Sequence, residues 1–446
     1  MAKIVALIDG EHYPAVTKSG LDELNKVHEV VGAAFIGGTE KIGTDKDLAV
    51  LGVPIVRDAD YLKCIDTAID QYRPDELIDL SDEPVLGYHE RFAIASLAMA
   101  KGVAYSGSDF RFSSPKMAPA LKKPSLSVVG TGKRIGKTAI GGYTARVLSG
   151  QFTPLMVTMG RGGPAEPEII PGTKMDITPE YLLSVSKQGK HASSDHYEDA
   201  LTSRVTTIGS RRCGGGMSGQ TYFSNVDKAG ALADELEGDI VIFEGSGCTI
   251  PSIPTEGSIL VVGAHQPIDY ISSYLGPYRV RRSDIVVLTM SEPPMADALK
   301  VDEMVSVIKS LNPSAKVFRT VFRPRPLGDL KGKKVAVCLT APKKTAGIIT
   351  EYLEKNFGCK VTGVSCNLSK RPALREEIED FLKASPDIIL TELKAAAVDV
   401  VTAWALGKNL KVVYMDNEPV TMEDGQNLED AIIELAKRCI EKKTIK

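Results

Sequence analysis

The chain has 446 residues with 43% hydrophobic and 25% charged side chains, which excludes a disordered or fibrous protein and suggests two or three domains. No apolar run approaches the ~20 residues of a membrane span, and the start, Met1 to Asp9, reads as a first strand rather than a signal peptide. The formal net charge of −3 conceals an uneven distribution: residues 110–165 contain no Asp or Glu and nine basic residues, so the remaining 390 residues carry a net −12 and a strongly anionic ligand is expected near the basic stretch.

Seven cysteines with no Cys-x-x-Cys pair point to a reduced cytoplasmic protein. The six histidines show no metal-ligand spacing.

Strands alternate with helical patterns along most of the chain, which predicts an α/β fold of three consecutive units with mainly parallel sheets. The first unit, 1–124, is a Rossmann-like α/β domain with strands near Ile4–Ile8, Val30–Phe35, Pro54–Val56, Leu77–Leu80 and Val103–Tyr105, and a helix over Tyr88–Ala100. A Pro/Lys/Ser-rich connector from Ser113 to Pro124 ends it. The second unit, 125–328, carries the strongest motifs. Arg323-Pro324-Arg325-Pro326-Leu327-Gly328 reads as a turn-rich boundary unsuited to a helix or central strand. The third unit, 329–446, has strands at Lys334–Leu339, Val361–Cys366, Ile388–Thr391 and Val412–Met415, each followed by a helix.

The apolar run Leu126–Val129 leads into Gly130-Thr131-Gly132-Lys133-Arg134-Ile135-Gly136-Lys137-Thr138 and then a helical pattern. Strand, glycine-rich loop and helix form a phosphate cradle. Backbone N–H groups from Gly130 to Thr138 would surround ATP phosphates, Lys137 would reach the β- and γ-phosphates, and Thr138 would hold Mg²⁺. The strict Gly-x4-Gly-Lys-Thr spacing places glycine at 131, where this chain has threonine flanked by Gly130 and Gly132. Asp239–Phe243 is a second apolar strand, ending in Glu244-Gly245-Ser246-Gly247. A parallel sheet presents such an acid at its ligand edge, so Glu244 is expected on the metal and Asp239 at the opposite end.

These two motifs resemble dethiobiotin synthetase and its relatives, P-loop proteins that activate an oxyanion with ATP. Gly130 to Thr138 follow their Gly-Thr-x4-Gly-Lys-Thr loop, and Glu244 to Gly247 their Glu-Gly-x-Gly turn. Their loop contains acids; this one has Gly132, Lys133 and Arg134, which implies a more anionic substrate.

Three further basic stretches offer anion sites. Arg161 lies in Met159–Pro164, Arg211 and Arg212 precede Gly214 and Gly215, and Arg279, Arg281 and Arg282 lie before the strand at Ile285. Arginine forks bind phosphate oxygens bidentately, so Arg161, Arg211, Arg212, Gly214 and Gly215 are expected on the substrate. The 279–282 arginines read equally well as surface. No stretch interleaves basic and aromatic residues as a nucleic-acid platform does. Ser193 to Asp199 offers His196 as an acid/base group, or equally a helix N-cap by Ser194 with Asp195, His196 and Glu198 in a solvated first turn. Asp9 and His12, at the end of the first strand, either line a substrate cleft or cap the next helix.

Taken together, the Ala6–Pro14 opening, the phosphate loop, Gly160–Pro164, Arg211–Gly216 and Glu244–Gly247 resemble the cyclic 2,3-diphosphoglycerate synthetase family of methanogenic archaea. The resemblance implies ATP- and Mg²⁺-dependent closure of 2,3-diphosphoglycerate into a cyclic phosphoanhydride, with Lys137, Arg161 and Glu244 as catalytic groups and Thr138 and Glu244 on the metal. The acidic balance outside the basic stretch and the lack of a membrane-length apolar run speak against nucleic-acid and membrane partners, and a homodimer is expected. A dethiobiotin-like ligase, a small-molecule kinase and a non-catalytic nucleotide switch are the alternatives. The last would carry a second lysine at position 132, where this chain has glycine.

Overall fold

The computed structural model describes residues 1–42, 45–422 and 427–445. The chain forms two compact units. The first comprises Met1–Lys116 with Pro267–Arg282 and Ser306–Pro313, and the second comprises Met117–Gln266, Ser283–Val305 and Ser314–Lys446. No helix among the described residues is long and apolar enough to cross a membrane.

The first unit is built on a six-stranded sheet in the order β3-β2-β1-β4-β5-β6. Its strands are β1 (Lys3–Ile8), β2 (Glu29–Phe35), β3 (Ile55–Arg57), β4 (Glu76–Asp79), β5 (Ala104–Ser106) and β6 (Arg111–Phe112). All pairings except β5–β6 are parallel. Residues Ile4 to Ile8 are completely buried, as expected of a strand covered by helices on both faces. The helix Tyr88–Ala100 lies where the sequence places it. Arg279, in the helix Gly276–Arg281 of this unit, is buried with Nη1 donating to Leu275 O at 3.0 Å.

The second unit holds a 13-stranded sheet. One group of strands comprises β7 (Ser125–Gly130), β8 (Pro154–Gly160), β9 (Glu168–Pro171), β10 (Thr206–Cys213), β11 (Phe223–Ser224), β12 (Ile240–Glu244), β13 (Gly257–Gly263) and β14 (Ile285–Thr289). β10, β8, β12, β7, β13 and β14 pair in parallel, in that order. Then come β15 (Lys316–Pro326), β16 (Lys334–Cys338), β17 (Lys360–Ser365), β18 (Ile388–Glu392) and β19 (Lys411–Thr421).

The strand β15 overturns one expectation. Arg323–Pro326 is not a turn but the second half of an 11-residue strand joining the two groups. Residues 316–319 pair in parallel with β14, and 320–326 pair antiparallel with β19. Each half therefore has one partner on one side only. The N–H of Leu327 donates to Tyr414 O at 2.9 Å, so odd-numbered residues face β19. Pro324 and Pro326 have the opposite parity, and their missing N–H groups fall on the unpaired side, where a sheet tolerates proline.

This strand sets the geometry of the unit. Beyond β14 it runs on for seven residues, about 20 Å at strand rise. β19 returns along it, with β18, β16 and β17 parallel to β19. The C-terminal ends of the two strand groups therefore open on one crevice. Arg146, on the helix Lys137–Ser149, locks the junction by bonding Asp416 at 2.7 Å and Glu418 of β19. Asp416 also receives Arg325 at 3.2 Å. Because Asp416 is buried, Arg146→Ala is expected to cost about 2–3 kcal/mol in urea unfolding; a change below about 0.5 kcal/mol would show that the lock is not structural.

Candidate functional site

The β7 strand ends at Gly130, and the loop up to Gly136 feeds the helix Lys137–Ser149. Strands β13 and β14 fix the loop from below. Thr131 N–H donates to Val261 O at 3.1 Å, its hydroxyl bonds Gln266, and Thr289 Oγ1 donates to Ile135 O at 2.7 Å. Gly130 and Thr131, expected on the phosphates, thus form the loop's root, while Gly132 to Thr138 line a cavity of about 510 Å³. Gly136 has φ +79°, and a Cβ there would lie 2.1 Å from the Phe322 ring on β15, so no larger residue fits.

Lys137 is buried and bonds the carboxylate of Glu244, which is fully buried at the end of β12. The other Glu244 oxygen, Oε2, has no partner among the described residues. Asp239 lies at the start of that strand, accepting from Thr153 N at 2.6 Å.

The helix Asp195–Ser203 corrects the reading of a solvated first turn: His196, Glu198 and Asp199 are buried. Ser194 makes no side-chain cap; its hydroxyl lies 3.0 Å from His196 Nδ1. Asp195, Glu198 and Asp199 share one helical face by their spacing. Asp199 accepts from Thr158 Oγ1 at 2.8 Å. Burial, and then the neighbouring Glu244, push the Asp199 carboxyl well up.

Arg161 and Arg212 meet beside Gly247. Gly247 has φ +61°, and a Cβ there would lie 2.7 Å from Arg161 Nη2 and 3.7 Å from Arg212 Nη2. Arg212 donates to the carbonyls of Gly214 at 2.8 Å and Ser246 at 3.0 Å. Neither arginine has a carboxylate partner among the described residues. Burial, and then the Arg161 charge, push Arg212 down from its usual range. Arg211 Nε instead braces the 163–164 turn, donating to Gly163 O at 3.1 Å and Pro164 O at 2.8 Å. Gly214 and Gly215 surround Arg212 and do not line the cavity.

A second cavity of about 870 Å³ is lined by Arg161, Lys190, His191, His196, Arg211 and Arg212 among others. It shares Arg161, Gly162 and His191 with the loop cavity. A third, of about 690 Å³, shares Arg134, Gly136, Thr340, Ser369 and Lys394 with the loop cavity and adds Phe322, Pro293, Pro294 and Met295. Thr340, Ser369 and Lys394 belong to the last strand group. Sequence reasoning missed them, as it missed Asp195 and His191 in the loop cavity, because none lies in a motif.

Asp9 and His12 belong to the first unit. His12 Nδ1 lies 2.8 Å from Asp9 Oδ1, while Asp82 N–H donates to Asp9 Oδ2 at 2.6 Å. The helix that follows is capped by Tyr13 without a side-chain bond, so helix capping by Asp9 or His12 is excluded.

Of the nine basic residues in the acid-free stretch, Lys133, Arg134, Lys137 and Arg161 line the loop cavity, whereas Arg111, Lys123 and Arg146 bond within the fold.

Two outcomes follow. Gly247→Ala is expected to displace Arg161 and weaken tripolyphosphate binding at least tenfold by calorimetry, at a stability cost of about 1–2 kcal/mol from the left-handed backbone; unchanged affinity would remove Arg161 from the anion site. Glu168 bonds His196 at 3.4 Å and Lys190 at 2.6 Å. The His196 hydrogen bond and Lys190 outweigh partial burial and bring it from 4.5 down to about 2. Its stabilisation is therefore full above about pH 4.5 and lost as pH falls through about 2. Glu168→Gln should flatten that part of the stability–pH curve, and an unaltered slope would contradict the assignment.

Three family models match consecutive stretches: the N-terminal domain of cyclic 2,3-diphosphoglycerate synthetase over residues 3–113, its P-loop domain over 125–321 and its C-terminal domain over 326–418. The cyclic 2,3-diphosphoglycerate synthetase of Thermococcus kodakarensis is 49% identical over 98% of this chain and 99% of its own. That of Methanothermus fervidus is 46% identical over 98% of both chains. Among solved structures, LpxK from Aquifex aeolicus in complex with ATP aligns with a TM-score of 0.43 at 17% identity, covering 72% of this chain and 90% of its own. Motifs, domain order and full-length identity agree, and the chain belongs to the cyclic 2,3-diphosphoglycerate synthetase family.

Proposed function

We infer that the protein uses ATP to close 2,3-diphosphoglycerate into cyclic 2,3-diphosphoglycerate, releasing ADP and phosphate. One observation carries the reading: two cavities share Arg161, and beside it Arg212, which lines the second cavity, stands with it at Gly247 without an ion-pair partner among the described residues. Two bound polyanions would supply that missing charge. The relatives' names favour this reaction over a ligase of another substrate, a kinase or a nucleotide switch.

The phosphates of ATP would lie in the loop cavity, held by Gly132 to Thr138, with the nucleoside against Phe322, Pro293 and Pro294 in the adjoining cavity. The diphosphoglycerate would lie against Arg161, Arg211 and Arg212. Among the described residues no group of three or more His, Cys, Asp or Glu is placed to hold a metal. Thr138, which lines the loop cavity, and Glu244, whose Oε2 makes no hydrogen bond within the fold, are the residues that would hold Mg²⁺ together with phosphate oxygens. The ion would neutralise phosphate charge.

A substrate phosphate oxygen is already ionised at neutral pH, so no general base is needed. In the first step that oxygen forms a bond to the γ-phosphorus as the bond to the bridging oxygen of ADP breaks, the electron pair leaving with ADP. The second substrate phosphate then attacks the phosphorus of the first, closing the ring, and inorganic phosphate leaves with its bridging oxygen. Lys137 stabilises the leaving ADP; Arg161 and Arg212 hold the two reacting phosphates against their repulsion. Within this reading, the three sequence segments 1–124, 125–328 and 329–446 are the proposed domains.

Phosphorus NMR of the protein with Mg-ATP and 2,3-diphosphoglycerate is expected to show a new cyclic phosphoanhydride signal in step with ADP. ADP formation independent of diphosphoglycerate would overturn the reading. Lys137→Ala should lower turnover by several orders of magnitude while the far-ultraviolet spectrum is retained; near-normal turnover would be equally damaging.

A further inference from the structure

Nothing above gives the last strand group a chemical task, yet it places a lysine in the loop cavity. Lys394 follows β18 and lines the cavity opposite Gly132 to Thr138. Three features hold it there. Its Nζ lies 3.1 Å from Glu198 Oε1 on the helix Asp195–Ser203. The next residue, Ala395, has φ +47°, the left-handed region that a residue bearing a Cβ enters at a cost and that collects at functional sites. Ser193 Oγ then donates to Ala395 O at 2.9 Å, and a π-helical turn follows over Ala397–Thr402.

Charge fits the placement. Burial would lower the Lys394 pKa, but Glu198 and Glu392 outweigh it and hold the ammonium above its usual range. Lys137, Lys394 and Asp195 all line this cavity, so the two ammonium groups share it with a carboxylate. Lys137 belongs to the loop that cradles the phosphates, and a loop lysine reaches the β- and γ-phosphates. A second cation in the same cavity, brought by the other strand group, is available to the outermost phosphate.

We propose that Lys394 is a catalytic residue that contacts the terminal phosphate of the bound nucleotide and stabilises the phosphoryl group in transfer. The assignment rests on the reading of the loop cavity as an ATP site. It makes the last strand group part of the catalytic centre, so the cavity needs all of the second unit to be complete.

The purified full-length chain is titrated calorimetrically with Mg-ADP and with a non-hydrolysable Mg-ATP analogue. Lys394→Met is expected to weaken the analogue at least 30-fold, to leave ADP within threefold, and to lower kcat with Lys394→Arg partly restoring it. Removing the lysine strands the Glu198 carboxylate, so the double variant Lys394→Met with Glu198→Gln is measured alongside and should show the same selectivity loss with wild-type thermal stability. Equal loss for both nucleotides, or a defect cured by the double variant, makes Lys394 a structural ion-pair partner and overturns the proposal. Because nucleotide selectivity is read without product, wild-type protein that forms no cyclic product but loses selectivity at Lys394 would sink the diphosphoglycerate reading and leave this one standing.

Discussion

Arg161 and Arg212 meet at Gly247 without a counterion among the described residues, and this uncompensated positive charge is the constraint on which the arrangement of the second unit depends. Two unit charges a few ångströms apart repel by about 3–4 kcal/mol at an effective dielectric of 20. A fold sustains such a contact where neighbouring contacts over-determine it: Arg212 by the carbonyls of Gly214 and Ser246, and the turn beside Arg161 by Arg211. A bound polyanion reverses the sign of the interaction. The acid-free stretch has the same logic, since it brings Lys133, Arg134, Lys137 and Arg161 to the loop cavity and no carboxylate of its own.

Three acids close by are buried, while Asp195 lines the loop cavity and Glu166 and Glu168 line the second one. Glu244 holds Lys137, Glu198 holds Lys394, and Asp199 is tied to Thr158. These three acids do not themselves line the cavities, so Lys137 and Lys394 are fixed from behind. The β15–β19 ribbon makes this layering possible by turning two groups of strand ends toward one crevice. In the account proposed here, one crevice takes the nucleoside, its phosphates and the diphosphoglycerate in three adjoining cavities.

Much of this was legible because it is local. Strand, loop and helix around Lys137 are encoded in one stretch, as are the strand and turn around Glu244, and the structure places both at the same cavity. Arg323–Pro326 was misread because proline punctuates a chain only where its N–H is needed; the half-paired geometry of β15 removes that need and cannot be seen from composition. The turn at Asp195 was misread because a helix start with three acids looks solvated, and only packing against the sheet buries it. Lys394 had no signal at all. Its ion-pair partner Glu198 and the phosphate loop whose cavity it lines are far away in sequence, and the residue after it, Ala395, has a left-handed backbone held by Ser193. Residues whose task depends on a second strand group become visible only when that group is placed.

The central claim is that one crevice holds two polyanions at the same time. Calorimetric titration of 2,3-diphosphoglycerate into protein saturated with a non-hydrolysable Mg-ATP analogue tests it most directly. The account requires a ternary complex of one diphosphoglycerate per nucleotide-loaded chain, with affinity that falls as salt is raised and is lost in Arg161→Ala. Competition between the two ligands, so that nucleotide-saturated protein binds no diphosphoglycerate, would contradict it.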